Sequence, residues 1–194
     1  MRKLLLCVPM ISLLLLTGCA GGRGGNKAEE EALSLRTTYL EAEGFSGKAE
    51  LTADYGQRVC QYQVDVEAGE EETALTITAP DTVAGIKARA VKGDTFLDYE
   101  DLVLETGPLD PEGLSPMSAV PALLEAVKSG YITACSFPED GVLRVDCGDP
   151  DREPDVGRTV SMWFDRNGGT MLKGEISVDG TLVVSCLWSE FTIR

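Results

Sequence analysis

The sequence predicts a mainly β protein, with a curved antiparallel sheet of about eleven strands covered by two or three helices. Three observations predict this class. Apolar and polar residues alternate with a period of two through most of residues 45–193, and turn signals rich in Gly, Asp and Pro separate the alternating runs. Only the segments 28–43 and 116–129 place apolar residues at steps of three and four. Consecutive hairpins make a sheet antiparallel, and a twisted sheet of this many strands tends to curl.

The first 18 residues have the features of a signal peptide. A basic start, Met1-Arg2-Lys3, precedes an apolar run over residues 4–16, which is too short to span a bilayer. Leu16-Thr17-Gly18-Cys19 then resembles the lipobox of bacterial lipoproteins, so we expect cleavage before Cys19 and attachment of diacylglycerol and palmitate-type chains to it. Residues 19–27, rich in glycine, are predicted to form a flexible linker, and residues 28–194 a single domain.

The domain is predicted to begin with one amphipathic helix, and a second helix interrupts the strands. The first covers Ala28–Glu43 and stops before Gly44. The second has Ser115 as its N-cap and Pro116 as its first residue, and it ends at Gly130. The predicted strands are 45–54, 60–66, 75–79, 86–90, 96–99 and 101–106 before the second helix, and 131–137, 142–147, 158–166, 170–178 and 181–193 after it. The later strands carry apolar residues on both faces, for example Trp163 against Met162, which predicts that both faces are covered.

Composition excludes several classes of function. The chain has 32 acidic and 17 basic residues, a net charge of −15, and this charge repels nucleic acid and anionic lipid headgroups alike. The acylated Cys19, rather than a basic patch, is therefore expected to hold the protein at the bilayer. No histidine is present, which rules out Ser-His-Asp and Cys-His catalysis and an imidazole base. We therefore expect a protein without catalytic activity.

No metal or cofactor is predicted either. Asp149, Asp151, Glu153 and Asp155 alternate as calcium ligands do. The segment nevertheless has Pro154 where an EF-hand loop needs glycine, and the closing glutamate is missing.

Four cysteines lie beyond Cys19, and two interpretations of them stay open. They are Cys60, Cys135, Cys147 and Cys186. Outside the cytoplasm they can form two disulfides with three alternative pairings, but all four lie in apolar strands, which favours buried thiols. A four-residue loop over 138–141 would place Cys135 opposite Arg144 and Cys147 on the other face, which disfavours a bridge between these two cysteines.

The order of elements and several segments resemble the LolA/LolB superfamily of lipoprotein carriers. The similar segments are Leu75–Ile86, Asp110–Pro116 leading into Ala122–Glu125, and Trp163–Asp165. Their residue patterns resemble those of the envelope lipoproteins of Gram-positive bacteria in that superfamily. The shared order of elements covers residues 28–194. The resemblance implies a curved half-barrel lidded by helices over an apolar cavity that takes acyl chains.

The resemblance also implies where a ligand would bind. In the membrane-anchored member, the loop after the third strand presents an exposed apolar residue, and the matching loop here is Pro80–Gly85 with Val83. The alternative is that Pro80 merely ends one strand and Gly85 permits a turn. The remaining candidates are sheet residues that face the cavity and lid residues of the second helix. The sheet residues are Leu51, Tyr62, Val64, Leu75, Ile77 and Trp163, and the lid residues are Leu123, Leu124 and Val127.

Two functions follow as hypotheses for a lipoprotein on the outer face of the cell membrane. In the first, the half-barrel binds an acyl chain or another apolar ligand. In the second, the fold is filled by its own side chains and docks onto an envelope enzyme or receptor, for example in sporulation or germination. A tethered protein cannot shuttle as a soluble carrier does, and a Gram-positive cell has no outer membrane to supply.

We predict that Cys19→Ala abolishes membrane attachment, because the thiol that receives the lipid is lost. Membrane fractionation of cells that make each form measures the effect. The wild type is expected in the membrane fraction, whereas the variant stays unprocessed or is released. Retention of a correctly processed variant would contradict the lipobox assignment.

Overall fold

The structure, a computed structural model, describes residues 23–153 and 156–194. Its two helices are α1 (Arg23–Glu41) and α2 (Pro116–Ser129). The strands before α2 are β1 (Phe45–Asp54), β2 (Val59–Ala68), β3 (Glu72–Ala79), β4 (Lys87–Val91), β5 (Asp94–Tyr99) and β6 (Leu102–Pro108). Those after it are β7 (Ile132–Ser136), β8 (Val142–Cys147), β9 (Arg158–Asp165), β10 (Met171–Val178) and β11 (Thr181–Ile193). Cys19 and the signal segment lie outside the described residues.

All eleven strands form one antiparallel sheet in the order β6-β5-β4-β3-β2-β1-β11-β10-β9-β8-β7. Within β1–β6 and within β7–β11, each strand pairs with the strand that follows it in the sequence. The two groups join at the centre of the sheet, where β1 pairs with β11. Both helices pack on one face of this sheet, which we call the inner face. The predicted mainly β fold, a curved half-barrel lidded by helices, is therefore confirmed.

Helix α1 covers the β7–β8 end of the inner face. It begins at Arg23, earlier than the predicted start at Ala28, so the end of the segment predicted as linker is helical. Tyr39 is fully buried, stacks on Phe45 with ring centroids 5.0 Å apart, and donates a hydrogen bond to the carbonyl of Gly169 at 3.1 Å. Burial of the apolar side of α1 against the sheet thus fixes the helix in place.

Helix α2 crosses the middle of the inner face, with both ends tied down. At its start the Ser115 hydroxyl accepts from the Ser118 N–H at 3.3 Å, and the Ser118 hydroxyl accepts from the Ser115 N–H at 3.1 Å. This is a reciprocal capping box. At its end Arg36 of α1 donates to the carbonyls of Val127 at 2.8 Å and Gly130 at 2.6 Å. A cation thus satisfies carbonyls that a helix C-terminus leaves unpaired.

The prediction that both faces of the sheet are covered is wrong. Leu182 and Leu187 of β11 are 43% and 55% exposed on the outer face. Trp163 also points outward, because it alternates with the buried Met162 on β9. Its ring lies between the Arg144 guanidinium, 5.0 Å from the centroid, and the Lys173 ammonium at 4.8 Å. Two cations, rather than a helix, cover this indole.

The predicted register of the β7–β8 hairpin is also wrong by one residue. Cys135 pairs with Val145 rather than with Arg144. The loop closes differently because Gly141 adopts a positive φ of 80° and the N–H of Val142 donates to the carbonyl of Glu139 at 3.3 Å. A one-residue slip exchanges the faces of a strand, so Cys135 and Cys147 share a face after all.

The four cysteines of the described residues are free thiols. Cys147 and Cys186 are buried, whereas Cys60 and Cys135 are half-buried. Burial raises the pKa of Cys147 to about 11 and also raises the pKa of Cys186. Neither helix of the residues that the structure describes is long and apolar enough to cross a bilayer.

We predict that Gly174→Val on β10 lowers the free energy of unfolding by about 1–3 kcal/mol, although valine favours strands, because the new side chain overlaps Leu123 of α2. A Cβ at Gly174 would lie 2.5 Å from a methyl carbon of Leu123. Urea denaturation measures the change.

The double variant Gly174→Val with Leu123→Ala is the control. It is expected to be more stable than the sum of the two single changes predicts, because the smaller alanine makes room for valine. Simple additivity of the two effects would show that α2 does not rest on Gly174.

Candidate functional site

An apolar cavity lies between the β1–β5 half of the inner face and the first turn of α2. Its volume is about 300 Å³, and it opens to solvent. It is lined by Leu51, Tyr62, Val64, Leu75, Ile77, Val83, Ile86, Ala88, Leu97, Ser115, Pro116 and Met117. Ser115 uses its hydroxyl in the capping box, so the Tyr62 hydroxyl is the main polar group at the wall. Burial is the largest cause of the raised pKa of Tyr62, followed by the nearby Cys60 thiol.

The structure brings together six of the residues predicted to bind a ligand. They come from three adjacent strands and one loop, and they are Leu51, Tyr62, Val64, Leu75, Ile77 and Val83. Leu51, Val64 and Leu75 are at most 3% exposed, so they form the floor of the cavity. Alternation along β1, β2 and β3 places all these side chains of the sheet on the inner face.

The loop between β3 and β4 folds over this cavity. The N–H of Val83 donates to the carbonyl of Pro80 at 3.0 Å, and the N–H of Gly85 donates to the carbonyl of Ile77 at 2.9 Å. These bonds turn the loop back on itself. Val83 is half-buried and contributes to the cavity wall.

The other four predicted residues lie elsewhere. Leu123, Leu124 and Val127 are at most 7% exposed and pack in the core between α2 and the β7–β11 half of the sheet. Only a void of about 10 Å³ remains there, with Val127 at its wall. Trp163 lies on the outer face, as described above. The sequence alone cannot distinguish core residues from cavity-lining residues. Both kinds are apolar and face inward, and their periodicity is the same on either half of the sheet.

Sequence reasoning missed half of the lining. Ala88 and Leu97 are not among the residues predicted to bind a ligand, although the turn at Lys92–Gly93 predicts a hairpin whose register pairs them. The pairing continues through neighbouring strands, so that Leu75, Ala88, Leu97 and Leu104 form one apolar row across β3, β4, β5 and β6. Exposure rises along this row from 2% at Leu75 to 54% at Leu104. The apolar surface of the cavity therefore extends to the edge of the sheet.

Three larger clefts have a different character, with charged side chains in their walls. One of about 690 Å³ lies beside the end of α2 and includes Glu125, Asp149, Arg152 and Arg158 in its wall. A second, of about 620 Å³, lies along the second half of α1 around the Glu31–Arg166 ion pair. A third, of about 440 Å³, has Arg144, Asp146 and Glu153 in its wall. Charged walls suit water better than an acyl chain. Within residues 23–153 and 156–194, no cluster of three or more Cys, Asp or Glu side chains could hold a metal ion.

Comparison with solved structures places this fold among known ones. A conserved protein of Thermus thermophilus is similar over 86% of this chain and 88% of its own, with a TM-score of 0.50 and 8% identity. A LolA superfamily protein from Nitrosomonas europaea is similar over 89% of this chain and 94% of its own, with a TM-score of 0.43 and 13% identity. In the complex of the CwlD amidase with the GerS lipoprotein from Clostridioides difficile, a chain is similar over 86% of this chain and 95% of its own, with a TM-score of 0.46 and 12% identity.

Neither family models nor curated proteins match this sequence. At the identities given above, a structural likeness concerns the fold alone. The chain shares the fold of the Thermus thermophilus protein, and its single antiparallel sheet lidded by two helices is the architecture that its order of elements predicts.

We predict that Ala88→Leu changes the free energy of unfolding by less than about 1 kcal/mol, because the larger side chain enters the open cavity. Ala119→Leu is the matched control. Ala119 of α2 is 0% exposed in the packed core, so the same enlargement there is expected to cost about 1–3 kcal/mol. Urea denaturation of both variants checks the difference. Equal losses would mean that the cavity at Ala88 does not exist in solution.

Proposed function

We propose that the protein is an envelope lipoprotein, anchored through acylated Cys19 on the outer face of the membrane, that binds one acyl chain or a similarly slender apolar ligand. The observation that carries this proposal is the cavity under the first turn of α2, which gathers apolar side chains from five strands. Ligand sites are typically concave and apolar with a few polar groups. Tyr62 and the open rim supply the polar contribution.

The size of the cavity limits the ligand. About 300 Å³ is at the lower end of roughly 300–1,000 Å³ that is usual for small-molecule sites. One chain therefore fits better than all the chains of a diacylated lipid or lipoprotein. Further carbon atoms of a long chain would lie along the row from Leu97 to Leu104, where the inner face is open.

The ligand is also expected to be neutral or cationic at its polar end. The chain has a net charge of −15, and removal of Arg2 and Lys3 with the signal peptide would make the mature protein more acidic still. A carboxylate or phosphate held near this surface is repelled, although salt screens the repulsion beyond about 10 Å.

The experiment is lipid extraction of protein purified from its native host. We expect the organic phase to contain about one non-covalent acyl lipid per protein, identified by mass spectrometry, because a filled cavity removes apolar surface from water. The lipid bound covalently to Cys19 stays with the protein, so it does not interfere. Ala88→Leu is expected to lose the extracted lipid because leucine occupies the space.

Leu187→Ala is the matched control for this experiment, since Leu187 is 55% exposed on the outer face. It is expected to retain the lipid. Recovery of no lipid above an unrelated lipoprotein, or equal recovery from Ala88→Leu, would refute the proposal.

A second candidate function is a non-catalytic role in which the protein docks onto an envelope partner. The observation that favours it is the filled half of the inner face, where Leu123, Leu124 and Val127 leave almost no space for a ligand. A fold that carries large lipids needs more volume than one half of the sheet provides. In this role the outer surfaces of the sheet, rather than the cavity, would carry the function.

A further inference from the structure

The edge strand β6 is the most exposed apolar feature of the described residues. Leu102, Val103 and Leu104 follow one another and are 66%, 61% and 54% exposed, and Tyr99 beside them is 48% exposed. Because side chains alternate along a strand, Leu102 and Leu104 lie on one face and Val103 on the other. Apolar side chains are thus exposed on both faces of the same edge.

The backbone of β6 is also open on one side. The strand pairs with β5, and among the residues that the structure describes no strand pairs with its other side. An unpaired edge presents a row of N–H and C=O groups that can bind another strand. The regular pairing from Leu102 to Glu105 contains no bulge, so this row is continuous.

The opposite edge of the sheet, β7, is protected in the ways that proteins commonly protect an edge. Strand β7 is only 5 residues long, its register is irregular between Ile132 and Ala134, and α1 packs against it. Short length, irregularity and a covering helix all discourage strand addition. Strand β6 has 7 residues, and α1 and α2 leave it uncovered. The two edges of one sheet therefore differ in their availability.

Charge selects the partner of β6. The β5–β6 hairpin, residues 94–108, contains five acidic residues and no basic one. Arg89 pairs with Asp98 at 2.5 Å, which lowers the pKa of that carboxyl. Glu100, Asp101 and Glu105 are exposed and form no ion pair with the basic residues of the described chain. The apolar triplet thus lies between uncompensated carboxylates.

The same charges disfavour a second copy of this chain as the partner. Antiparallel pairing of two β6 strands centred on Val103 aligns the apolar triplets, but it also places Asp101 of each copy opposite Glu105 of the other. Like charges directly opposite each other destabilise a strand pair. An anionic lipid surface is repelled for the same reason.

We propose that β6 binds an extended segment of a partner protein, with apolar residues at its centre and Lys or Arg at both ends, which adds to the sheet as a twelfth strand. The apolar residues of that segment continue the row that ends at Leu104, and its basic ends pair with Asp101 and Glu105. This inference deepens the second candidate function and does not depend on a ligand in the cavity.

The test uses the full chain in zwitterionic detergent micelles and two labelled peptides of seven residues. Each has a Val-Thr-Val centre, with two lysines at each end in one and two glutamates at each end in the other. Fluorescence anisotropy measures binding. The lysine peptide is expected to bind at least about tenfold more tightly than the glutamate peptide, and its binding should weaken with salt. Amide hydrogen exchange should slow at residues 102–105.

The double variant Asp101→Lys with Glu105→Lys is expected to reverse the preference between the two peptides. Both side chains are exposed, so the fold should be unaffected. Leu187→Lys is the matched control, because Leu187 is as exposed as Leu104 but lies within a strand that is paired on both sides. It should leave the preference unchanged.

Several outcomes would overturn the proposal. Failure of both peptides to bind, an unchanged preference in the double variant, or protection away from β6 would each reject it. If the wild type self-associates and Val103→Lys abolishes that association, the partner of β6 is a second copy of this chain. Binding to phosphatidylglycerol vesicles that Val103→Asp abolishes would make the edge a membrane contact. None of these results alters lipid recovery in the extraction experiment, so the two proposals fail separately.

Discussion

The contact between Leu123 of α2 and Gly174 of β10 sets the position of everything that lies on the inner face. Because Gly174 has no Cβ, the leucine side chain descends onto the backbone of the strand, and an added Cβ would overlap it at 2.5 Å. Close approach of this kind brings the small side chains of α2 into the core, where Ala119 and Val120 are fully buried. A helix held at this depth cannot also leave a lipid-sized space beneath it, since interiors pack densely. One missing side chain therefore decides which half of the sheet is core.

Contacts at the two ends of α2 fix the helix across the sheet, so that the packed half of the inner face stays separate from the half with the cavity. Arg36 fastens the C-terminal end to α1, whose Tyr39 packs into a group of aromatic rings with Phe45, Phe164 and Phe191. At the other end, Asp110 accepts hydrogen bonds from the N–H of Leu114 at 2.8 Å and the Ser118 hydroxyl at 3.4 Å, so the loop before the helix is fixed as well. The first turn of α2 consequently stands over β1–β5 without filling the space below. The cavity results from where the helix starts rather than from a gap in a loosely packed core.

The sequence predicted the eleven strands and both helices in their order along the chain, because period-two alternation and turn residues are local signals. It also identified six cavity residues. The inward positions of five, from Leu51 to Ile77, follow from the same alternation, whereas Val83 in the loop after β3 was predicted from the family resemblance. Features that depend on contacts between elements were not predictable. Trp163 alternates with residues as apolar as itself, so its outward position depends on the cations of Arg144 and Lys173. The register at Cys135 depends on the conformation of Gly141, and the filled space at Leu123 depends on Gly174, which is distant in the sequence.

The cavity and the β6 edge share one structural element, and this constrains how they can act together. Leu97 lines the cavity and pairs directly with Leu104. A ligand in the cavity and a partner strand along β6 would therefore both contact the β5–β6 hairpin. A ligand that orders this hairpin removes part of the entropy that a partner would otherwise lose on binding, so the two would bind with positive cooperativity. Linkage makes the effect reciprocal: a partner at the edge would tighten the hold on the ligand by the same factor. If the ligand instead extends along the row to Leu104, it occupies the inner side of the edge, and the two would compete. The length of the apolar chain therefore determines the sign of the coupling.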